Sequence, residues 1–282
     1  MIAITAFLLI AAADPAVEIM AKAAANHESA AEARRSFVYQ QKIRSSMVRS
    51  SGEVARREKR EYQVIPNEKS TEKKLTAFAG EYRKGKQMIA YTEPGFKYKG
   101  VDLDGDLIRG LTEDLTNEKG SRDGIPHSLF PLETKDLDKY KFTMKDEETV
   151  DGRKAYRISF EPAKPENCVH IGSDEGNPCD ASWKGDAWID KEDLQPSRIL
   201  TDLAFKIPFV IRAFLGTNLR QTGFSVHYER VAPGIWFPKT YGTEFRLDVL
   251  WGYKRTITLS LESTGFQRTE TSSTIEYRIP EI

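Results

Sequence analysis

The chain has 282 residues, of which 39% are hydrophobic, 10% aromatic and 30% charged. That is the composition of a globular protein and excludes a disordered or fibrous one. Its 42 Lys and Arg balance its 42 Asp and Glu, which excludes a function carried by net charge alone, such as non-specific binding of nucleic acid.

Met1 to Ala13 (MIAITAFLLIAAA) is uncharged and apolar, ends in small residues and gives way to Asp14-Pro15. Residues 1–13 fall short of the ~20 apolar residues that a helix needs to cross a bilayer. They read as a cleaved signal peptide with an Ala-x-Ala site at Ala11 to Ala13. No Cys follows for acylation, so the expectation is a periplasmic or secreted protein, soluble after cleavage, with 14–282 as a single domain.

Asp14 and Pro15 suit the opening of a helix. The Ala-rich run to Arg35, with Val17, Met20 and Ala24 on one stripe, predicts one long helix. From Ser36 the period changes to two: Phe37, Tyr39, Gln41, Ile43 and Ser45 alternate with Val38, Gln40, Lys42 and Arg44, the pattern of a strand buried on one face. A basic strip follows, Lys42, Arg44, Arg49, Arg56, Arg57, Lys59 and Arg60. It reads first as a solvated strand face and second as a surface for a phosphate, a lipid headgroup or an acidic partner. Nucleic acid is excluded as a partner, because Phe37 and Tyr39 fall on the apolar face and leave no exposed aromatics between the basic residues.

Asp102 to Glu118 carries Leu107, Leu111 and Leu115 at a spacing of four, which predicts a short amphipathic helix across the sheet. Asp102, Asp104, Asp106 and Glu113 fit four positions of a calcium loop, but Leu107 stands where the loop requires Gly, so the acids are read as favouring the helix start. Ile125 to Leu132 and Ile207 to Leu215 are apolar, contain Pro near their start and do not alternate; both read as plugs or lids, the second as a flap moving Phe209 and Phe214 about Gly216.

Alternation returns in Tyr156, Ile158, Phe160; in Phe224, Val226, Tyr228; in Tyr241, Thr243, Phe245, Leu247, Val249; and in Ile257, Leu259, Leu261. Lys84-Gly85, Asp151-Gly152 and Pro233-Gly234 supply turn chemistry. About ten strands in an antiparallel meander are predicted. Residues 34–100 hold 17 basic against 7 acidic side chains, and residues 101–193 hold 13 against 23; in such a sheet these segments are expected to lie side by side and neutralise one another. Cys168 and Cys179 bound a short polar loop, which in an oxidising compartment predicts a disulfide. A metal site with His170 and Asp174 lacks a second ligand pair. No nucleophile elbow, phosphate loop or paired metal motif appears, so neither catalytic residues nor a cofactor are expected.

An opening helix leads into Phe37, Tyr39, Gln40 and Ile43 in an F-x-Y-Q-x-x-I pattern. VDGRKAYRISFEP (Val150 to Pro162), AWIDKEDLQPSRI (Ala187 to Ile199) and GIWFPKTYGTEF (Gly234 to Phe245) follow in that order. The series resembles the periplasmic lipoprotein-localisation carriers (LolA/LolB-like) and the outer-membrane lipoprotein-sorting proteins, most specifically in Trp188-Ile189-Asp190 followed by Pro196. The resemblance implies an α+β fold, an antiparallel unclosed half-barrel whose helices cover its concave face, with an apolar cavity for acyl chains. In this sequence the ligand-binding side chains are then Phe37, Tyr39, Tyr156, Phe160, Phe209, Phe214, Phe224, Tyr228, Phe245 and Leu259. The expected protein is a monomeric, non-enzymatic carrier or sensor of lipid or lipoprotein acyl chains. The alternative is an envelope-stress or chaperone module that engages a membrane-associated protein partner and carries no lipid.

Overall fold

The computed structural model describes residues 14–66, 71–116, 123–126, 129–163, 183–204, 217–249 and 252–269. The predicted leader, the Cys168–Cys179 loop and the flap with Phe209 and Phe214 lie outside the described residues. Eleven strands form one antiparallel sheet: β1 (Phe37–Arg49), β2 (Val54–Pro66), β3 (Thr71–Lys84), β4 (Gln87–Tyr91), β5 (Tyr140–Val150), β6 (Arg153–Pro162), β7 (Trp183–Asp190), β8 (Pro196–Leu203), β9 (Thr217–Ala232), β10 (Ile235–Val249) and β11 (Tyr253–Arg268). Their order is β4-β3-β2-β1-β11-β10-β9-β8-β7-β6-β5. β4 and β5 stand at opposite edges, so the sheet is an unclosed half-barrel of the α+β class, with eleven strands where the turn signals predict about ten.

Local chemistry explains the hairpins. The β5–β6 turn places Asp151 at φ 48° and Gly152 at φ 80°, the pair of left-handed residues that a tight hairpin matching strand twist requires. β1 pairs along its length with β11. This contact between the first and last strands joins β1–β4 to β5–β11 in one sheet. It also corrects the expected pairing of the charged halves, because the basic strands β1–β4 and the acidic strands β5–β7 lie at opposite ends of the sheet.

Helix α1 (Pro15–Ser29) opens as predicted, with Pro15 in its first turn and the Ala16 N–H donating to Asp14 Oδ1 at 2.9 Å. It does not continue to Arg35. A break at Ala30 separates it from α2 (Ala31–Arg34). The side chains before the break are engaged outside the helix: Asn26 Nδ2 donates to the carbonyls of Asp193 and Leu194, and Glu28 accepts from the N–H and Oγ1 of Thr134. Such polar competition shortens helices. The buried stripe is also shifted from the expected one. Ala16, Met20, Ala23, Ala24 and His27 are buried, whereas Val17 is exposed; the alanines let the helix backbone lie close to the sheet.

Helix α3 (Leu103–Thr116) turns Ile108, Thr112 and Leu115 inward, with Leu107 and Leu111 only partly buried beside them. The buried stripe therefore keeps Leu115 of the predicted leucines and puts Ile108 and Thr112 in place of Leu107 and Leu111. One large apolar cluster joins α1, the stretch from Ile125 to Leu132, and the inward side chains of β1, β2, β5–β11. A second, small one joins Ile108 to Met47, Ala55 and Ile257.

Candidate functional site

The pleat of each strand decides which side chains meet on the concave face. β1 alternates buried and less buried positions from Phe37 onward, so Phe37 and Tyr39 face inward together. Of the ten side chains predicted to bind ligand, the eight described ones all join or pack against the large apolar cluster. Phe37, Tyr39, Phe160, Phe224, Tyr228 and Leu259 are buried, and Tyr156 and Phe245 are half-buried. Tyr156 lies beside a register shift in the β5–β6 pairing between Met144 and Glu147, and the Lys191 ammonium lies over its ring at 4.8 Å.

The aromatic rings interlock. Phe37 and Tyr39 each meet Phe237 edge-on with centroids 5.4 Å apart, Phe224 meets Trp183 at 5.1 Å, and Phe160 meets Tyr140 at 5.7 Å. These are favourable edge-to-face geometries. The stretch that the sequence marked as plug or lid joins the same cluster through its described residues: Ile125, Leu129, Phe130 and Leu132 are buried. Two polar ties seat it. Tyr228 donates its hydroxyl to the Leu129 carbonyl at 2.5 Å, and the Arg34 Nε pairs with Asp123 Oδ2 at 2.6 Å with both side chains buried. His27 stacks at 4.3 Å on Phe130.

Burial acts on the phenols of this face. Tyr39, Tyr91 and Tyr228 are held above the ordinary tyrosine range, first by desolvation. Tyr140 is pushed up to about 12 by burial and then by the Asp136 carboxylate. Folding thus favours the neutral phenols. That contribution is complete below the unfolded pKa of about 10 and is lost as pH rises through the folded value. Alkaline titration is expected to release a late tyrosinate absorbance together with loss of circular dichroism. Ionisation of all 11 tyrosines near pH 10 with the fold intact would contradict it.

A buried polar cluster, which sequence reasoning did not anticipate, occupies the β2 end of the concave face. Arg56 and Arg60, placed by the basic-strip reading on a solvated face, are buried together with Glu58. Arg56 donates from Nε to the Tyr91 hydroxyl at 2.7 Å, from Nη1 to Asp102 Oδ2 at 2.6 Å and from Nη2 to the Phe96 carbonyl at 2.7 Å. Tyr91 donates to Glu58 Oε1 at 2.6 Å, and Arg60 Nη2 donates to Glu58 Oε2 at 2.8 Å. A signal was present: counting back in twos from Val64 and Tyr62, which are buried, leads to Arg60, Glu58 and Arg56.

This cluster locks α3 in place. Asp102 accepts from the Gly105 N–H at 3.1 Å, and a Cβ on Gly105 would lie 2.5 Å from Arg56 Nη1, so only glycine lets the helix start approach the guanidinium. Asp104 accepts from the Tyr253 hydroxyl and from Arg255 Nε at 2.9 Å, and Asp106 pairs with Lys97 and Arg109. Of the acids in the calcium-like spacing, Asp102 thus caps the helix start, as the helix-start reading expects, whereas Asp104 and Asp106 are engaged with cations. Among the described residues no group of three or more His, Cys, Asp or Glu could hold a metal ion.

The Trp188-Ile189-Asp190 motif builds a turn. Asp190 accepts from the N–H groups of Glu192 and Asp193 and takes a two-pronged pair from Arg153 at 2.6 and 2.9 Å. That turn offers the carbonyls on which Asn26 docks α1. His227 faces outward, its pKa lowered first by burial and then by Arg198.

No family model and no curated protein matches the chain. Among solved structures it is similar to a DUF1329 family protein from Desulfovibrio piger, with 13% identity over 93% of this chain and 96% of that one and a TM-score of 0.37. It is similar to an outer membrane lipoprotein-sorting protein domain from Vibrio parahaemolyticus, with 10% identity, 92% and 94% covered and a TM-score of 0.33. A LolA superfamily protein from Nitrosomonas europaea gives 10% identity, 91% and 97% covered and a TM-score of 0.33.

Proposed function

We propose that the concave face is the acyl-binding surface of an exported, non-enzymatic carrier or sensor of lipid or lipoprotein chains, acting in the periplasm or outside the cell. One observation supports this reading above others: the inward side chains of β1, β2 and β5–β11 form one continuous aromatic and aliphatic surface, and part of its cover comes from the apolar side chains Ile125, Leu129, Phe130 and Leu132 and not from a sealing layer of long helices. An apolar surface covered by a short loop is one that a flexible apolar ligand can share. Each methylene moved from water to this face contributes about 0.8 kcal/mol. The chain would enter by displacing Leu129, Phe130 and Leu132, whose side chains stand where methylenes would lie.

Among the described residues no helix is long and apolar enough to cross a membrane. The test is organic extraction of the protein purified from its native host, with mass spectrometry, and titration with a fluorescent fatty acid. A copurifying lipid and saturable binding are expected. A single protein partner captured with no lipid, together with no fatty-acid binding, would sink the carrier reading.

A further inference from the structure

The basic strip is split by the pleat of β2. Arg56 and Arg60 turn inward, while Arg57 and Lys59 turn outward beside Arg44 of β1. On this outer face Arg44 stands directly opposite Lys59 across the β1–β2 ladder. Like charges in that relation destabilise a sheet. The residues directly opposite on either side carry no charge, since Lys59 faces Ala79 on β3 and Arg44 faces Ser260 on β11; only Arg44 has a carboxylate within reach, that of Glu262 at 3.5 Å. These small residues leave room, and a groove of about 520 Å³ opens there.

The cations around it are Arg44, Arg57 and Lys59, and the hydroxyls are those of Ser46, Thr258 and Ser260. The carboxylates on this surface are committed: Glu81 pairs with Arg57 at 2.5 Å and Glu262 reaches Arg44 at 3.5 Å from the groove's rim. Lys59 makes no ion pair among the described residues. Glu58, whose backbone lines the groove, holds its carboxylate on the inner face with Arg56 and Arg60.

We propose that this groove is a binding site for a phosphate-class anion, either inorganic phosphate or the phosphate of a lipid headgroup. The argument is one of unbalanced charge and donor number. Two cations held against one another across a ladder recover their cost when an anion bridges them. Three cationic groups from β1 and β2, with hydroxyls from β1 and β11, offer more donors than the two oxygens of a carboxylate accept, and suit a phosphate. The site lies on the face opposite the acyl-binding surface and does not depend on it.

The experiment compares the full chain with K59T, R44T and, as a control on an exposed lysine of β6 at the other end of the sheet, K154T. Melting temperature is measured in sodium phosphate and in sodium chloride at matched ionic strength, and phosphate affinity by calorimetry. The wild type and K154T are expected to gain stability in phosphate beyond chloride. K59T is expected to melt no lower than the wild type in chloride, because repulsion is removed, and to bind phosphate at least tenfold more weakly; R44T should lose the same response. Flotation with phosphatidylglycerol and phosphatidylcholine vesicles separates the sources. Capture by the anionic vesicles that K59T abolishes assigns a headgroup, and phosphate binding without capture assigns the free anion. A phosphate response in K59T equal to that of the wild type overturns the site, as does a wild type that neither responds to phosphate beyond chloride nor floats with phosphatidylglycerol.

Discussion

Arg56→Met is expected to lower unfolding free energy by about 3–5 kcal/mol, the range for breaking a buried ion pair by removing one partner. Three groups each lose one donor at once. Glu58 and Asp102 would remain as buried carboxylates, and the Phe96 carbonyl would lose the N–H that satisfies it. Lys is no rescue. An ammonium has no planar fork with which to reach Tyr91, Asp102 and Phe96 in three directions, so Arg56→Lys should retain less than half of the loss prevented by Arg. Because the start of α3 is seated on the small cluster of Met47, Ala55, Ile108 and Ile257, and only its end, at Leu115, reaches the large one, the damage should be local first. Hydrogen exchange of α3 amides is expected to accelerate before that of β9 to β11. Urea denaturation gives the magnitude. A loss under 1 kcal/mol, with α3 protection unchanged, would show that the cluster is solvated in practice and that its Coulomb and desolvation contributions cancel.

Strand alternation made most of this architecture readable in the sequence, since period-two burial on Phe37 to Ser45, Phe224 to Tyr228 and Ile257 to Leu261 depends on local pattern alone. The pairing of β1 with β11 is long-range and leaves no local trace, which is why the charged halves were expected beside one another and stand apart. Val17 illustrates a different limit. Its size favoured it for the buried stripe, yet α1 approaches the sheet through alanines, and close approach selects small residues over large ones. At the site, the apolar residues were legible because burial and hydrophobicity coincide. Arg56 and Arg60 were not, because a charged side chain is read as exposed by default, and only their common register with Tyr62 and Val64 contradicts that. The outer groove needed both facts together, the inward turn of two arginines and the outward opposition of Arg44 and Lys59.

Phe130→Ala is expected to separate a plug from a core residue. Phe130 is buried, stacked on His27 and surrounded by the large apolar cluster, so its truncation should cost about 3–5 kcal/mol of stability in the unliganded protein. If the stretch from Ile125 to Leu132 occupies space that acyl chains enter, the same change should raise affinity for a fluorescent fatty acid, because the ligand no longer has to expel a ring. Four to six methylenes, at about 0.8 kcal/mol each, match the 3–5 kcal/mol that seats Phe130. Chains shorter than about six carbons should therefore fail to bind the wild type but bind Phe130→Ala. Phe237→Ala supplies the contrast. Phe237 sits on β10 and contacts Phe37 and Tyr39, so it belongs to the wall and not to the cover. Its truncation should cost comparable stability and lower acyl affinity. Equal affinity losses in both variants, with no shift of the chain-length threshold, would place Phe130 in a fixed core and leave the plug no part in exchange.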